Sequence, residues 1–142
     1  MQLELGAQLS AASLDANKIH ITGDNSSATI KGAVSTNEFR VDAGSFSAHS
    51  LSGQNDGSLD DFSNKGTLTL EEETIVTKKF LNSGSINADE NGISHLDNLT
   101  VMGDTWLGSS LDVKDFNAQG KVTVQNDAKV SVDKLLTRQL NS

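Results

Sequence analysis

The chain has 142 residues, a net charge of −8, and no cysteine or proline. Without cysteine it forms no disulfide and carries out no thiol chemistry. Its acidic balance excludes nucleic acid or an anionic membrane as the main partner, since either needs a basic surface, and no segment is long enough for direct membrane insertion.

Residues 1–61 contain short alternating apolar pairs separated by polar turns. The pairs are Ile19/Ile21, Ala28/Ile30, Phe39/Val41 and Phe46/Ala48. Alternation with a period of two is the pattern of a strand with one buried face. The pairs therefore predict short strands in irregular coils, with a longer turn at residues 53–57 that bulges out between coils. A domain boundary at this turn is the less favoured alternative.

From residue 62 onwards a glycine-centred pattern recurs about once every eighteen residues. Its blocks open at Phe62, Phe80, Leu99, Phe116 and, in truncated form, Leu135. The glycine of each full block lies four residues after the opening residue, at Gly66, Gly84, Gly103 and Gly120. One block has too little apolar surface for a core of its own, so a period near twenty residues indicates coils that stack on one another.

Two sets of apolar positions follow the glycines. The first set, two and four residues after each glycine, comprises Leu68, Ile86, Thr105 and Val122, then Leu70, Ala88, Leu107 and Val124. The second set, eight to ten residues after it, comprises Ile75, Ile93, Leu111 and Val130. This alternation predicts two or three short inward-facing strands per block. We expect the glycines, and Asn64 and Asn82 before them, to form the bends between strands.

The fold that satisfies these patterns is all-β: a parallel β-helix, or β-solenoid, of about seven coils of roughly 17–22 residues. We expect residues 1–142 to be a single β-helix segment, with irregular coils at 1–61 and regular coils at 62–142. We also expect this segment to be an excerpt of a longer chain. The column pattern suits either hand of winding. Leucine-rich repeats have a similar period but need a leucine framework that this sequence lacks.

The corner units carry a resemblance to a known family. Asn64-Lys65-Gly66-Thr67-Leu68 and Asn82-Ser83-Gly84-Ser85-Ile86, with the weaker unit at 118–122, resemble the N-x-G-x-[LI] corners of filamentous-haemagglutinin-type exoproteins. That family includes the stalks of contact-dependent inhibition effectors. The resemblance covers residues 62–136 and extends loosely to the N-terminal part. It implies a right-handed parallel β-helix, two-partner secretion, and a role in adhesion or in presenting a distal domain.

The resemblance is limited to stalk repeats. The family's secretion domain carries an Asn-Pro-Asn-Gly motif, which a chain without proline cannot contain. What the resemblance implies for individual residues is therefore limited to the stalk repeats, and the secretion domain is not recognisable in this sequence.

Trp106 is the candidate partner-binding residue. Thr105 and Leu107 occupy predicted inward positions, so the alternation turns the indole outward. An exposed tryptophan is a frequent anchor for a protein or glycan partner. The alternatives are that a loop or an adjoining segment covers the ring, or that the register slips by one residue in this block.

The sequence predicts no catalytic site. The carboxylates that glycan-cleaving chemistry would need to converge on one face are Asp60, Asp61, Glu71, Glu72, Glu73, Asp89 and Glu90. We expect them to lie in solvated turns. A calcium site assembled from such turn carboxylates is a less favoured alternative.

We also predict no metal site and no cofactor. His20, His49 and His95 are too far apart in the sequence to form a local metal-ligand motif. The alternation points His20 outward and places His95 in the column of Thr77, where it would face inward and form a hydrogen bond.

These observations favour a structural and interaction role over an enzymatic one. We expect a stalk segment of a secreted or cell-surface bacterial adhesin or contact-dependent effector. Its partners would be a protein or glycan receptor on another cell, or neighbouring coils of the same long chain. The alternative is a cytoplasmic, bactofilin-like scaffold that polymerises end to end, and a polysaccharide-processing enzyme is a third class. The drifting register favours the exoprotein, because bactofilins form tight, regular coils.

Overall fold

The computed structural model describes residues 1–4, 6–125 and 127–137. Within these residues the chain forms nineteen short β-strands and no helix. The strands are β1 (Gln2–Leu3), β2 (Gln8–Ala11), β3 (Leu14–Asp15), β4 (Lys18–Ile21), β5 (Ser27–Ile30), β6 (Ala33–Ser35), β7 (Glu38–Val41), β8 (Ser45–Ala48), β9 (Ser50–Ser52), β10 (Asp61–Asn64), β11 (Thr67–Leu70), β12 (Thr74–Thr77), β13 (Phe80–Asn82), β14 (Ser85–Ile86), β15 (Ser94–Val101), β16 (Thr105–Leu107), β17 (Leu111–Ala118), β18 (Val122–Val124) and β19 (Val130–Thr137).

The described strands form four parallel sheets. Sheet A contains β1, β4, β7, β10, β13, β16 and β18, and sheet B contains β2, β5, β8, β11 and β14. Sheet C contains β3, β6 and β9, and sheet D contains β12, β15, β17 and β19. Each coil supplies one strand to sheet A, so the described residues form a β-solenoid of about seven coils, as predicted.

The third face of the solenoid changes partway along the stack. In the first three coils it is made of the short strands of sheet C, and from the fourth coil it is made of sheet D. Strand β15 has two consecutive outward residues, Asp97 and Asn98, between its two buried halves. The strand therefore covers two faces of its coil, which is why β15, β17 and β19 each extend over eight residues.

The core is a set of columns in which equivalent residues of successive coils lie on one another. One column of sheet A contains Ile19, Phe39, Phe62, Phe80, Thr105 and Val122, all at most 3% exposed. Its phenylalanine rings stack, with centroids 5.5 Å apart between Phe39 and Phe62 and 4.8 Å apart between Phe62 and Phe80. The apolar surface of each coil is thus buried by its neighbours, as expected for a repeat too small to fold alone.

The corner after sheet A is built from asparagine and glycine. Asn64 and Asn82 are fully buried, and the Asn64 Nδ2 donates to the Asn82 Oδ1 at 3.0 Å. The Asn64 Oδ1 accepts from the Gly66 amide at 3.2 Å, which closes the bend. A Cβ on Gly84 would collide with the Gly66 carbonyl oxygen of the coil below. The predicted role of these asparagines in the bends is confirmed.

The N-terminal coils also follow the predicted alternation. All eight members of the apolar pairs from Ile19 to Ala48 are buried. Strand β10 pairs directly with β7, so the turn at residues 53–57 bulges out between the third and fourth coils, as predicted. Residues 54–57 of this turn are exposed.

The predicted alignment of the repeats is wrong at one step, between the blocks that open at Phe80 and Leu99. The later blocks align as predicted, with Leu99 in register with Phe116, and Phe116 with Leu135. Sheet A pairs Phe80 with Thr105, and sheet D pairs Ile75 with Leu99, so the block from Leu99 does not lie over the block from Phe80. Leu68 and Ile86 face the core from sheet B, whereas Thr105 and Val122 face it from sheet A. The cause is the long turn at residues 87–93, which lengthens the fifth coil.

Two residues predicted to face inward are exposed. Ala88 lies in the turn after β14, and Ile93 is 45% exposed at the end of the same turn. Ser94 occupies the inward position instead, in register with Leu111, and its Oγ accepts a hydrogen bond from the Ile86 amide at 2.9 Å.

No helix among the described residues is long and apolar enough to span a membrane. The last repeat, which opens at Leu135, is described through Thr137, and its residues 138–142 lie outside the described ranges.

Candidate functional site

The outward side chains of sheet A form a surface that changes character along the solenoid. We call it the sheet A outer face. In coil order its members are Gln2, Lys18 and His20, Glu38 and Arg40, Asp61 and Ser63, Leu81, Trp106 and Thr123. The face is therefore charged over the N-terminal coils and largely uncharged over the C-terminal ones.

Ion pairs between and within coils neutralise most of the charged end. Lys18 Nζ lies 3.3 Å from a Glu38 carboxylate oxygen of the next coil. Asp42 accepts from Arg40 Nε at 2.8 Å and lies 2.8 Å from His20 Nε2. Partial burial acts to raise the pKa of Asp42, but the hydrogen bonds to Arg40 and His20 outweigh it and lower that pKa.

Trp106 lies at the uncharged end and points outward, as predicted. Its neighbours Thr105 and Leu107 are buried, while Trp106 is half-buried and in register with Leu81 on one side and Thr123 on the other. The six-membered ring lies over Gly108, where a Cβ would meet Trp106 Cη2 and Cζ3. The indole is thus partly covered by the solenoid and partly exposed to solvent.

Each histidine contacts a carboxylate of an adjacent coil. His20 contacts Asp42, as described above, and the ring nitrogens of His49 lie 3.7 Å and 3.4 Å from Glu71 and Glu72 oxygens. His20 points outward as predicted. These contacts join residues about twenty positions apart in the sequence, so no short sequence motif predicts them.

His95 lies in the densest group of this kind. Its Nε2 is 2.9 Å from the Asp97 Oδ1, and its Nδ1 is 3.4 Å from Asp112 Oδ2 in the next coil. One ligand atom from each of Glu73, His95 and Asp97 lies within 4.8 Å of the others. We call these four residues the His95 cluster.

Electrostatics within the His95 cluster favour a positive charge on the ring. The hydrogen bond with Asp97 raises the pKa of His95, partial burial opposes this, and Glu73 and Asp112 raise it further. The prediction that His95 lies in the column of Thr77 and faces inward is wrong. Thr77 pairs with Val101, and His95 is an outward residue of β15.

The acidic residues considered for catalysis lie in different surroundings. Asp60 accepts from Lys78 Nζ at 3.0 Å, which raises the pKa of the lysine. Asp89 Oδ1 accepts from the Asn91 and Ile93 amides at 2.8 Å and 3.0 Å and so closes the turn at residues 87–93. Glu71 and Glu72 face His49, and of the candidate acids the His95 cluster includes Glu73.

The sequence contains one signal for this cluster. Alternation places His95 and Asp97 two residues apart on the outward side of one strand, which makes them neighbours. Whether Glu73 and Asp112 lie beside His95 depends on the register of the coils next to β15. The predicted alignment of the repeats did not give that register. No family model, curated protein or solved structure matches this chain.

Proposed function

We propose that this solenoid is a stalk segment of a secreted or surface-displayed bacterial adhesin or contact-dependent effector. The observation that carries the proposal is the continuity of the stack. Parallel ladders of sheet A run through all seven described coils, and the inward columns run with them. A stack of this kind transmits load along its axis and holds its ends at a fixed separation.

The edges of the stack also support a stalk. Among the described strands, β1 pairs only with β4, and β18 pairs only with β16. Edge strands of a sheet can pair with a strand of another coil. Further coils of the same chain would continue these ladders without a change of architecture.

Trp106 and Leu81 supply a second, lateral contact in this proposal. They lie side by side on the uncharged end of the sheet A outer face. A flat, partly apolar surface with a half-buried indole suits a glycan ring or a protein loop. We assign this surface to contact with the receptor. The remainder of the stalk or its distal domain would provide further recognition.

Fractionation of the source cells tests the stalk proposal. An antibody raised against this solenoid is used to probe cytoplasmic, envelope and medium fractions by immunoblot. A band in the envelope or medium that is far larger than 15.0 kDa is the expected result. A band of about the solenoid's own mass in the cytoplasm overturns the proposal.

A self-polymerising cytoplasmic scaffold is the second candidate, and one feature favours it. Leu135 and Leu136 on β19 are 44% and 68% exposed, and β19 pairs only with β17 among the described strands. Exposed leucines of this kind on an edge strand favour association with a second copy. Sedimenting cytoplasmic material that dissociates when Leu136 is replaced by lysine would support the scaffold.

A further inference from the structure

We propose that the His95 cluster binds a divalent transition-metal ion, with zinc as the reference ion. Glu73, His95 and Asp97 each place one donor atom within 4.8 Å of the others. These are one imidazole and two carboxylates, which together form a donor set that zinc and its neighbours accept. A bound water would complete a four-coordinate site.

The backbone holds these donors in place before any ion arrives. His95 and Asp97 belong to one strand, β15, and both are outward residues. The Glu73 carbonyl oxygen accepts from the Asp97 and Asn98 amides at 2.9 Å and 3.0 Å, which fixes Glu73 beside the corner of β15. Backbone positions that are fixed in this way lower the conformational entropy that the ligands lose on binding.

Asp112 would orient the His95 ring and would not bind the ion itself. It is the register partner of His95 in the next coil, and its Oδ2 lies 3.4 Å from the His95 Nδ1. In metal sites the histidine commonly donates its second N–H to a carboxylate, which orients the ring and selects the tautomer. With Asp112 on Nδ1, the His95 Nε2 faces Asp97, where the ion would bind.

The ion and a proton compete for the same ring. Metal binds the neutral imidazole and the ionised carboxylates, so protons compete with it for these ligands. Binding therefore releases a proton and weakens as the pH falls. An ion on its three ligands would join two coils, since Glu73 belongs to the fourth and His95 and Asp97 to the fifth. Asp112, in the sixth coil, would contact the ion only through the His95 ring.

Isothermal titration of the EDTA-treated, full 142-residue chain with zinc chloride tests the site. We expect one ion per chain, and affinity at least about tenfold lower for His95→Gln and for Asp97→Asn. Asp112→Ala should weaken binding by about ten- to a hundredfold, because it removes the orienting partner and leaves the ligands. His20→Gln is the matched control and should bind as the unmodified chain does, because His20 contacts a single carboxylate.

Two further measurements keep the proposal open to refutation. Titration in buffers of different ionisation enthalpy should reveal proton release, and circular dichroism should show that every variant remains folded. Equal zinc affinity for His95→Gln and the unmodified chain overturns the site. Calcium binding as tight as zinc binding, and unaffected by His95→Gln, also overturns it, since only a carboxylate site behaves in that way.

Discussion

Phe62 and Phe80 stack face to face in successive coils, with ring centroids 4.8 Å apart and planes inclined by 2°. Both rings are at most 1% exposed, and Phe62 also stacks on Phe39 below it. Phe62 is therefore the central member of an aromatic column that joins three coils. A residue that contacts aromatic rings in the coils on both sides contributes to two inter-coil contacts at once.

We expect Phe62→Ala to lower the free energy of unfolding by about 3–5 kcal/mol, because it opens a cavity in the core. The paired parallel strands on both sides prevent that cavity from collapsing. Urea denaturation followed by far-ultraviolet circular dichroism measures this change. Ser63→Ala, at the adjacent outward position, is the control and should change stability by less than about 0.5 kcal/mol. Similar midpoints for the two variants would contradict a central role for the stack.

The Asn64–Asn82 hydrogen bond makes a second, polar column beside the aromatic one. The Asn64 side chain donates to Asn82 Oδ1 and to the Ser85 carbonyl oxygen, and accepts from the Gly66 amide. Asn64→Ala leaves these buried partners unpaired, so we expect a loss of about 2–3 kcal/mol in the same assay. Asn98→Ala, at an exposed position of β15, should have little effect. An Asn64→Ala loss no greater than that of Asn98→Ala would show that water replaces the column.

Gly84 is required for space, and Gly92 for backbone conformation. A Cβ at Gly84 would collide with backbone atoms of Lys65 and Gly66, whereas Gly92 has φ +79° and open space around it. We expect Gly92→Ala to cost about 1 kcal/mol through φ alone, and Gly84→Ala to cost more because the two coils must separate. Thermal unfolding followed by circular dichroism compares them. Equal losses of stability for the two variants would mean that the coils at Gly84 accommodate a Cβ without an additional cost.

The sequence was sufficient to predict the coiled fold and which side chains of each strand face the core, because both depend on local alternation. Ile19, Ile21, Phe39 and Val41 alternate within single strands, and the structure buries all four. Trp106 likewise points outward because its two neighbours point inward. Such relationships extend over two or three residues and need no knowledge of which coil lies next.

The stacking of one coil on another was predicted less well, because it depends on the length of every turn. Gly84 and Gly103 occupy matching places in the sequence pattern but different corners of the solenoid, since the turn at residues 87–93 adds length between them. Asp112 lies beside His95 because β17 pairs with β15 in this register. A side-chain cluster assembled from three coils can be identified only after the register is known.

The outward position of Trp106 leads to a contrast with its neighbour. Leu107 is fully buried, and we expect Leu107→Ala to lower the free energy of unfolding by about 2–5 kcal/mol. Trp106→Ala loses the contact of one ring face with Gly108 and should cost about 1 kcal/mol. Urea midpoints of the two variants measure the difference. If Trp106→Ala is the more destabilising, the indole is a core residue and its assignment to receptor contact fails.

The raised pKa of His95 predicts a dependence of stability on pH. Its contact with Asp97 is the main cause, partial burial opposes it, and Glu73 and Asp112 add to it. A base whose pKa is higher in the folded chain gives stability that is full below the unfolded-state pKa of about 6.5. That stability is lost as the pH rises through the folded-state value. The gap in unfolding free energy between the unmodified chain and His95→Gln should therefore be larger near about pH 5.5 than near about pH 8.5.

Urea denaturation of both proteins in EDTA measures this gap without competition from metal ions. Asp97→Asn removes the main cause of the shift, so in that background the gap should depend less on pH. Asp97 and Asp112 have side chains 50% and 44% exposed, and salt should reduce the pH dependence by screening the attraction. A gap of equal size at both pH values would mean that the ring has the same proton affinity in the folded and unfolded chains. The charge on protonated His95 would then make no contribution to the stability of the stacked coils.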